Sequence, residues 1–164
     1  MGLLNWGKPK IEIGKLGAND AAPTTWIEID NPVINSTNLD TQEGAVQEAE
    51  GEGGELVDRR QGANRYTFSF ELFVKAGKAL PVADVDGKIE GYYAMRLTPE
   101  DSSVPGIKFA KSVMRAKDTY TAQDGQRKPY QMFVINETDG TSTIKPYTAS
   151  SGGGGGGSEE EEGD

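Results

Sequence analysis

Alternation of apolar and polar side chains is clearest in residues 66–74, and this segment constrains the fold most. Every second position is apolar, namely Tyr66, Phe68, Phe70, Leu72 and Val74, and the positions between them are mostly polar. Residues two apart share one face of an extended strand, and aromatic and β-branched residues favour strands. The segment therefore predicts a β-strand that presents one face to a hydrophobic core.

Shorter segments of the same character recur, with turn residues between them. They are residues 10–13, 25–29, 92–97, 107–120 and 129–135. Asp124 and Gly125, before the last of these segments, form a typical β-hairpin signal. No stretch has the long 3.6-residue period of an amphipathic helix. The pattern predicts a mainly β protein, an antiparallel β-sandwich or small barrel with at most one short helix.

The region after the aromatic strand holds the one helix candidate, residues 75–85, which Gly77 and Pro81 interrupt. Residues 84–87 (Asp-Val-Asp-Gly) have the composition of a calcium loop. An EF-hand loop has its glycine at the sixth position, whereas here glycine is fourth. We therefore predict a β-turn at residues 84–87.

The chain divides by composition into a folded part and a tail. Residues 1–148 are long enough for one domain with one core, which we expect to be a single β-sandwich structural domain. Residues 149–164 contain six consecutive glycines and then four consecutive glutamates. Polyglycine is flexible and a block of like charges cannot be buried, so we expect a flexible glycine-rich acidic tail. No apolar run approaches the roughly 20 residues of a membrane span, so we expect no membrane association.

Two residue types are missing from the chain, which has no cysteine and no histidine. Thiolate nucleophiles, disulfides and Cys-ligated metals are thereby excluded, as is a Ser-His-Asp triad. A carboxylate pair of the glycosidase kind stays possible, but no spacing marks such a pair. We predict a protein that is not an enzyme, with no catalytic residues, no cofactor and no metal.

The net charge of −9 is shared unequally between the tail and the body. Residues 159–164 hold five of the 26 acidic residues and none of the 17 basic ones, which leaves 21 acids against 17 bases elsewhere, a net charge of −4. Proteins that grip nucleic acid present a basic surface. We therefore expect no sequence-specific nucleic-acid binding.

Residues 40–58 form an acidic, glycine-rich segment without lysine or arginine. Three interpretations remain open: a solvated loop or sheet edge, a calcium site, or an extended hairpin that lines a channel or meets a basic surface. The candidate interface or lumen residues in it are Glu48, Glu50, Glu52 and Glu55.

A basic counterpart lies between residues 108 and 128. Its candidate interface residues are Lys108, Lys111, Arg115 and Lys117, followed by Arg127 and Lys128. Taken alone, this is the polar face of an amphipathic strand. Beside the acidic segment, it predicts charge complementarity between copies of the chain, as a head-to-tail assembly requires.

The order of these features resembles one protein family. The acidic segment 48–55 precedes the aromatic strand 66–74, and residues 91–101 and 117–125 follow. Over about residues 5–135, this layout resembles the tail tube (major tail) proteins of Bacteroidales-type bacteriophages and prophages.

That resemblance implies a virion structural protein, assembled in the cytoplasm of a bacterial host. The family implies β-sandwich subunits in hexameric rings that stack around a tape-measure protein, with DNA later passing through the lumen. An acidic lumen repels phosphate, and long hairpins add strands across subunits. The alternative is a capsid decoration or head–tail joining protein, which binds a preformed lattice.

Overall fold

The computed structural model describes residues 7–149, and in this range the chain forms eleven β-strands and one 3-10 turn, Ala18–Asp20, with no α-helix. The strands are β1 (Lys10–Lys15), β2 (Ile27–Ile29), β3 (Asn38–Gln42), β4 (Val46–Glu50), β5 (Leu56–Gln61), β6 (Arg65–Phe73), β7 (Lys88–Thr98), β8 (Gly106–Ala116), β9 (Thr119–Thr121), β10 (Gly125–Val134) and β11 (Lys145–Tyr147). The prediction of a mainly β protein is confirmed. Beyond Ala149, the predicted acidic tail lies outside the described residues.

Nine strands form one antiparallel sheet. Seven follow the order β2-β1-β7-β8-β10-β6-β3, while β11 pairs with β8 and β9 pairs with β10. The edge strands β2 and β3 do not pair with each other in this order, so the sheet is not a closed barrel. Strands β4 and β5 pair only with each other and form a separate two-stranded sheet.

The sheet is curved, because strands that are far apart in its order contribute side chains to one hydrophobic core. The core takes side chains from β1, β6, β7, β8 and β10, of which the most buried are Ile11, Ile13, Phe68, Phe70, Met95, Met114, Tyr130 and Met132. The register of the β7–β8 pair shifts at two places, and such interruptions of the pairing increase the local bend of a sheet. Inward residues from strands that are far apart in the sheet thus meet in one cluster.

The predicted strand 66–74 is confirmed as β6. Phe68, Phe70 and Leu72 are buried, as the alternation requires. Phe70 lies opposite Tyr130 of β10, and their rings stack with centroids 5.4 Å apart. Aromatic stacking between directly opposed residues stabilises a strand pair beyond the area it buries.

The link between the two edge strands, residues 30–37, runs from β2 to β3. The Val33 N–H donates to the Glu71 carbonyl oxygen at 2.8 Å. The Ser36 hydroxyl donates to the Val33 carbonyl at 2.6 Å and accepts from the Glu71 N–H at 3.1 Å. These bonds fix the link against the end of β6.

The helix prediction for residues 75–85 is wrong. The Lys78 N–H and the Lys75 carbonyl close a turn, and Gly77 has a φ of +74°, which a helix does not contain. The β-turn prediction is confirmed. Val85 and Lys88 exchange two N–H···O bonds of 3.0 Å around Asp86 and Gly87, whose positive φ values are those of a type I′ hairpin turn.

Residues 107–120, taken as one strand in the sequence, divide into β8 and β9 at Lys117 and Asp118. The expected hairpin at Asp124 and Gly125 joins β9 to β10. Its turn is held by the Asp124 N–H, which donates to the Thr121 hydroxyl at 3.0 Å.

Candidate assembly surfaces

A two-stranded arm projects from the sheet; we define it as residues 46–61. Strands β3 and β6 pair as far as Gln42 and Arg65, and pairing resumes in the arm at Val46 and Gln61. Between the two regions the backbones nearly touch, because a Cβ on Gly44 would lie 2.2 Å from the Gly62 carbonyl oxygen. The arm therefore continues the β3–β6 hairpin beyond the core.

Every residue of β4 and β5 is exposed to solvent. Three of them are large aliphatic residues: Val46 is 47% exposed, Leu56 is 55% exposed and Val57 is 68% exposed. An isolated two-stranded hairpin is marginally stable in water and needs a further strand or a packing partner. Within the described residues the arm pairs with no third strand.

The acidic candidates lie on this arm, so the structure has the extended hairpin and not a simple loop. Glu48 is opposite Arg59, with Oε1 3.5 Å from Nε. Glu50 is opposite Leu56, and Glu52 and Glu55 belong to the tip. There the Gly51 N–H donates to the Glu55 carbonyl at 2.9 Å.

The arm also contains two arginines, which lie just beyond the acidic segment 40–58. On β5, Arg59 lies opposite Glu48 and Arg60 lies opposite Gln47. The arm as a whole carries five acids and two bases. The glutamates at 50, 52 and 55 form no ion pair among the described residues. The charge of the tip is thus negative and uncompensated.

The structure offers no support for a calcium site. No group of three acidic side chains in residues 7–149 is arranged to hold a metal ion. Asp84, in the turn that resembled a calcium loop, is instead bound by Lys128.

Three of the four basic candidates lie on the outward side of β8, and the fourth follows the strand. Lys111 donates to Asp20 Oδ2 at 2.9 Å, which raises the pKa of this lysine. Its Nζ is also 4.2 Å from the centroid of the Tyr92 ring. Lys108, Arg115 and Lys117 have no ion pair in the part of the chain that the structure describes. No ion pair there joins the acidic and the basic set within one protomer.

Arg96 organises the outer face beside Lys108. Its Nη2 lies 2.9 Å from Glu12 Oε2, and its Nε lies 3.2 Å from Glu12 Oε1. The guanidinium also lies 4.1 Å from the centroid of the Trp26 ring and 5.6 Å from that of Tyr147. Bidentate pairing and stacking fix this side chain, so it ties together β1, β7, β11 and the segment before β2.

Lys128, which the sequence placed with the exposed bases, is buried. Its Nζ lies 2.5 Å from Asp84 Oδ1 and 2.9 Å from Asp118 Oδ1. The hydrogen bond with Asp84 raises the pKa of Lys128 and lowers that of Asp84. Both ions are held in their charged forms, as a structural pair requires.

An apolar cleft of about 800 Å³ lies at the end of β6 that is away from the arm. We define it by its apolar lining, which includes Pro9, Pro32, Ile34, Phe73 and Leu97. Ile34 stands in the turn closed by the Ser36 N–H and the Val33 carbonyl, and its side chain is 85% exposed. No simple sequence pattern predicts this cleft, because distant segments form it.

In residues 7–149 no helix is long and apolar enough to cross a membrane. A scan against protein-family models finds no match for the chain, and a search of curated proteins finds no similar sequence.

Proposed function

We propose that this chain is a virion structural protein, a self-assembling tail tube subunit whose stacked hexameric rings enclose an acidic lumen for DNA passage. Its partners are other copies of itself and further tail proteins such as a tape-measure protein. The observation that carries the proposal is the arm, a fully exposed hairpin with no partner strand in its own protomer.

The arm has the properties of an element that is completed by another molecule. Its backbone edges are available for strand addition. Burial of its exposed Val46, Leu56 and Val57 against another molecule would lower the free energy of the system. A protomer that displays such an element is suited to repeated association with copies of itself.

The charge distribution fits passage of DNA through an assembly. The body without the tail has 21 acids and 17 bases, so each added copy brings a net charge of −4 from its body to the assembly. Carboxylates on a lumen surface repel phosphate, so DNA passes without being bound. The exposed bases on and after β8 provide a second surface for contacts between subunits.

The test is negative-stain electron microscopy of concentrated protein, with and without residues 151–164. The matched variant replaces residues 46–61 by Asn-Gly, which closes a two-residue hairpin and leaves the core strands intact. We expect rings or tubes from the full chain and none from the armless variant, at an unchanged thermal midpoint. Equal assembly without the arm contradicts the proposal. Particles that stay dispersed under all conditions, including tail removal, favour the decoration or joining protein.

A further inference from the structure

The arm and the apolar cleft lie at opposite ends of one strand. β6 begins at Arg65, where the arm departs, and ends at Phe73, which lines the cleft. Eight steps of about 3.3 Å separate these residues by roughly 26 Å. The arm therefore extends away from the cleft of its own protomer.

Lysines surround the cleft on the Phe73 side. Lys8 is part of the lining, and Lys75 Nζ lies 6.0 Å from the centroid of the Phe73 ring. Lys78 binds Asp30, and the charges of Lys75 and Lys8 further lower the pKa of that carboxyl group. A second acid lies at the cleft, because Glu100 Oε2 accepts from the Lys8 N–H at 3.2 Å. Three lysines against these two acids leave a single net positive charge beside the apolar surface.

The tip of the arm has the complementary composition. Leu56 and Val57 are its exposed aliphatic residues, and Glu50, Glu52 and Glu55 are close to them in the hairpin. We propose that the apolar cleft receives the arm tip of a second copy, with Leu56 and Val57 against Ile34 and the glutamates against Lys8 and Lys75.

This contact rests on the proposed function and supplies its acceptor surface. Because donor and acceptor are different surfaces at opposite ends of β6, the contact is head-to-tail and leaves a free arm and a free cleft at the two ends. Such a contact stacks further copies.

The chain contains no cysteine, so single introduced cysteines report contacts without background. We would mix the Val57→Cys variant with an affinity-tagged Ile34→Cys variant, both at exposed positions, under mild oxidation. A disulfide needs Cα atoms within about 7 Å. We expect a tagged heterodimer at least tenfold above that formed when Val57→Cys is mixed with Tyr120→Cys, whose site on β9 is 74% exposed.

Equal cross-linking to both cysteines would mean random collision and would overturn the proposal. No heterodimer with the full chain, but one after removal of residues 2–6, would show that the N-terminal segment of the same chain fills the cleft, which also overturns it. Electron microscopy of the same samples separates the two proposals. Assemblies without the Val57–Ile34 cross-link exclude this cleft alone, whereas complete absence of assemblies contradicts the proposed function.

Discussion

Lys128 and Asp84 form the one ion pair among the described residues in which both side chains are largely buried, with exposures of 8% and 9%. Replacing Lys128 with methionine keeps most of the apolar stem and removes the cation, which leaves the Asp84 carboxylate buried without its partner. Removing one member of a buried ion pair is strongly destabilising. We expect Lys128→Met to lower the free energy of unfolding by about 3 kcal/mol, measured by urea denaturation.

Asp118 provides the matched control for this prediction, because it binds the same amine but its side chain is 63% exposed. Water replaces that contact easily, so Asp118→Asn should cost less than about 1 kcal/mol. Equal losses for the two variants would mean that Asp84 is not the partner that matters.

At the scale of elements, close backbone approach makes glycine necessary at two sites with different consequences. A Cβ on Gly106 would lie 1.8 Å from the Leu97 carbonyl oxygen in the β7–β8 pair, and one on Gly44 would lie 2.2 Å from that of Gly62 at the base of the arm. We expect Gly106→Ala to lower the thermal midpoint by at least about 5 °C.

Gly44→Ala should leave the midpoint unchanged and reduce assembly in electron micrographs, because it displaces only the arm. A large loss of midpoint for Gly44→Ala would show that the arm folds as part of the core.

Most strands of the body could be predicted from the sequence, whereas β3 and β11 lie outside every segment predicted as a strand and the arm was predicted only in part. The difference has one physical reason, because only a strand with one buried face carries a regular alternation. One face of β6 is buried and the other is partly exposed to solvent, so apolar and polar side chains alternate along the strand. β4 and β5 are exposed on both faces and carry no such pattern. The acidity of the arm is visible in the sequence, whereas the pairing of Arg59 with Glu48 and of Arg60 with Gln47 depends on the strand register, which no local pattern shows. The burial of Lys128 was also missed, because its partners Asp84 and Asp118 come from other segments.

For the whole molecule, net charge opposes association, since copies with a charge of −9 repel one another. Assembly then depends on local surfaces of opposite sign, which charge exchange can test. Lys8→Glu/Lys75→Glu on the cleft should prevent assembly, and so should Glu52→Lys/Glu55→Lys on the arm. The four substitutions together should restore it, because the attraction is rebuilt with its signs exchanged. Sedimentation velocity gives the measurement, and an unchanged thermal midpoint in each variant shows that folding is intact. If the combined variant assembles no better than either double variant, these residues do not meet across the interface, since only direct neighbours compensate in this way.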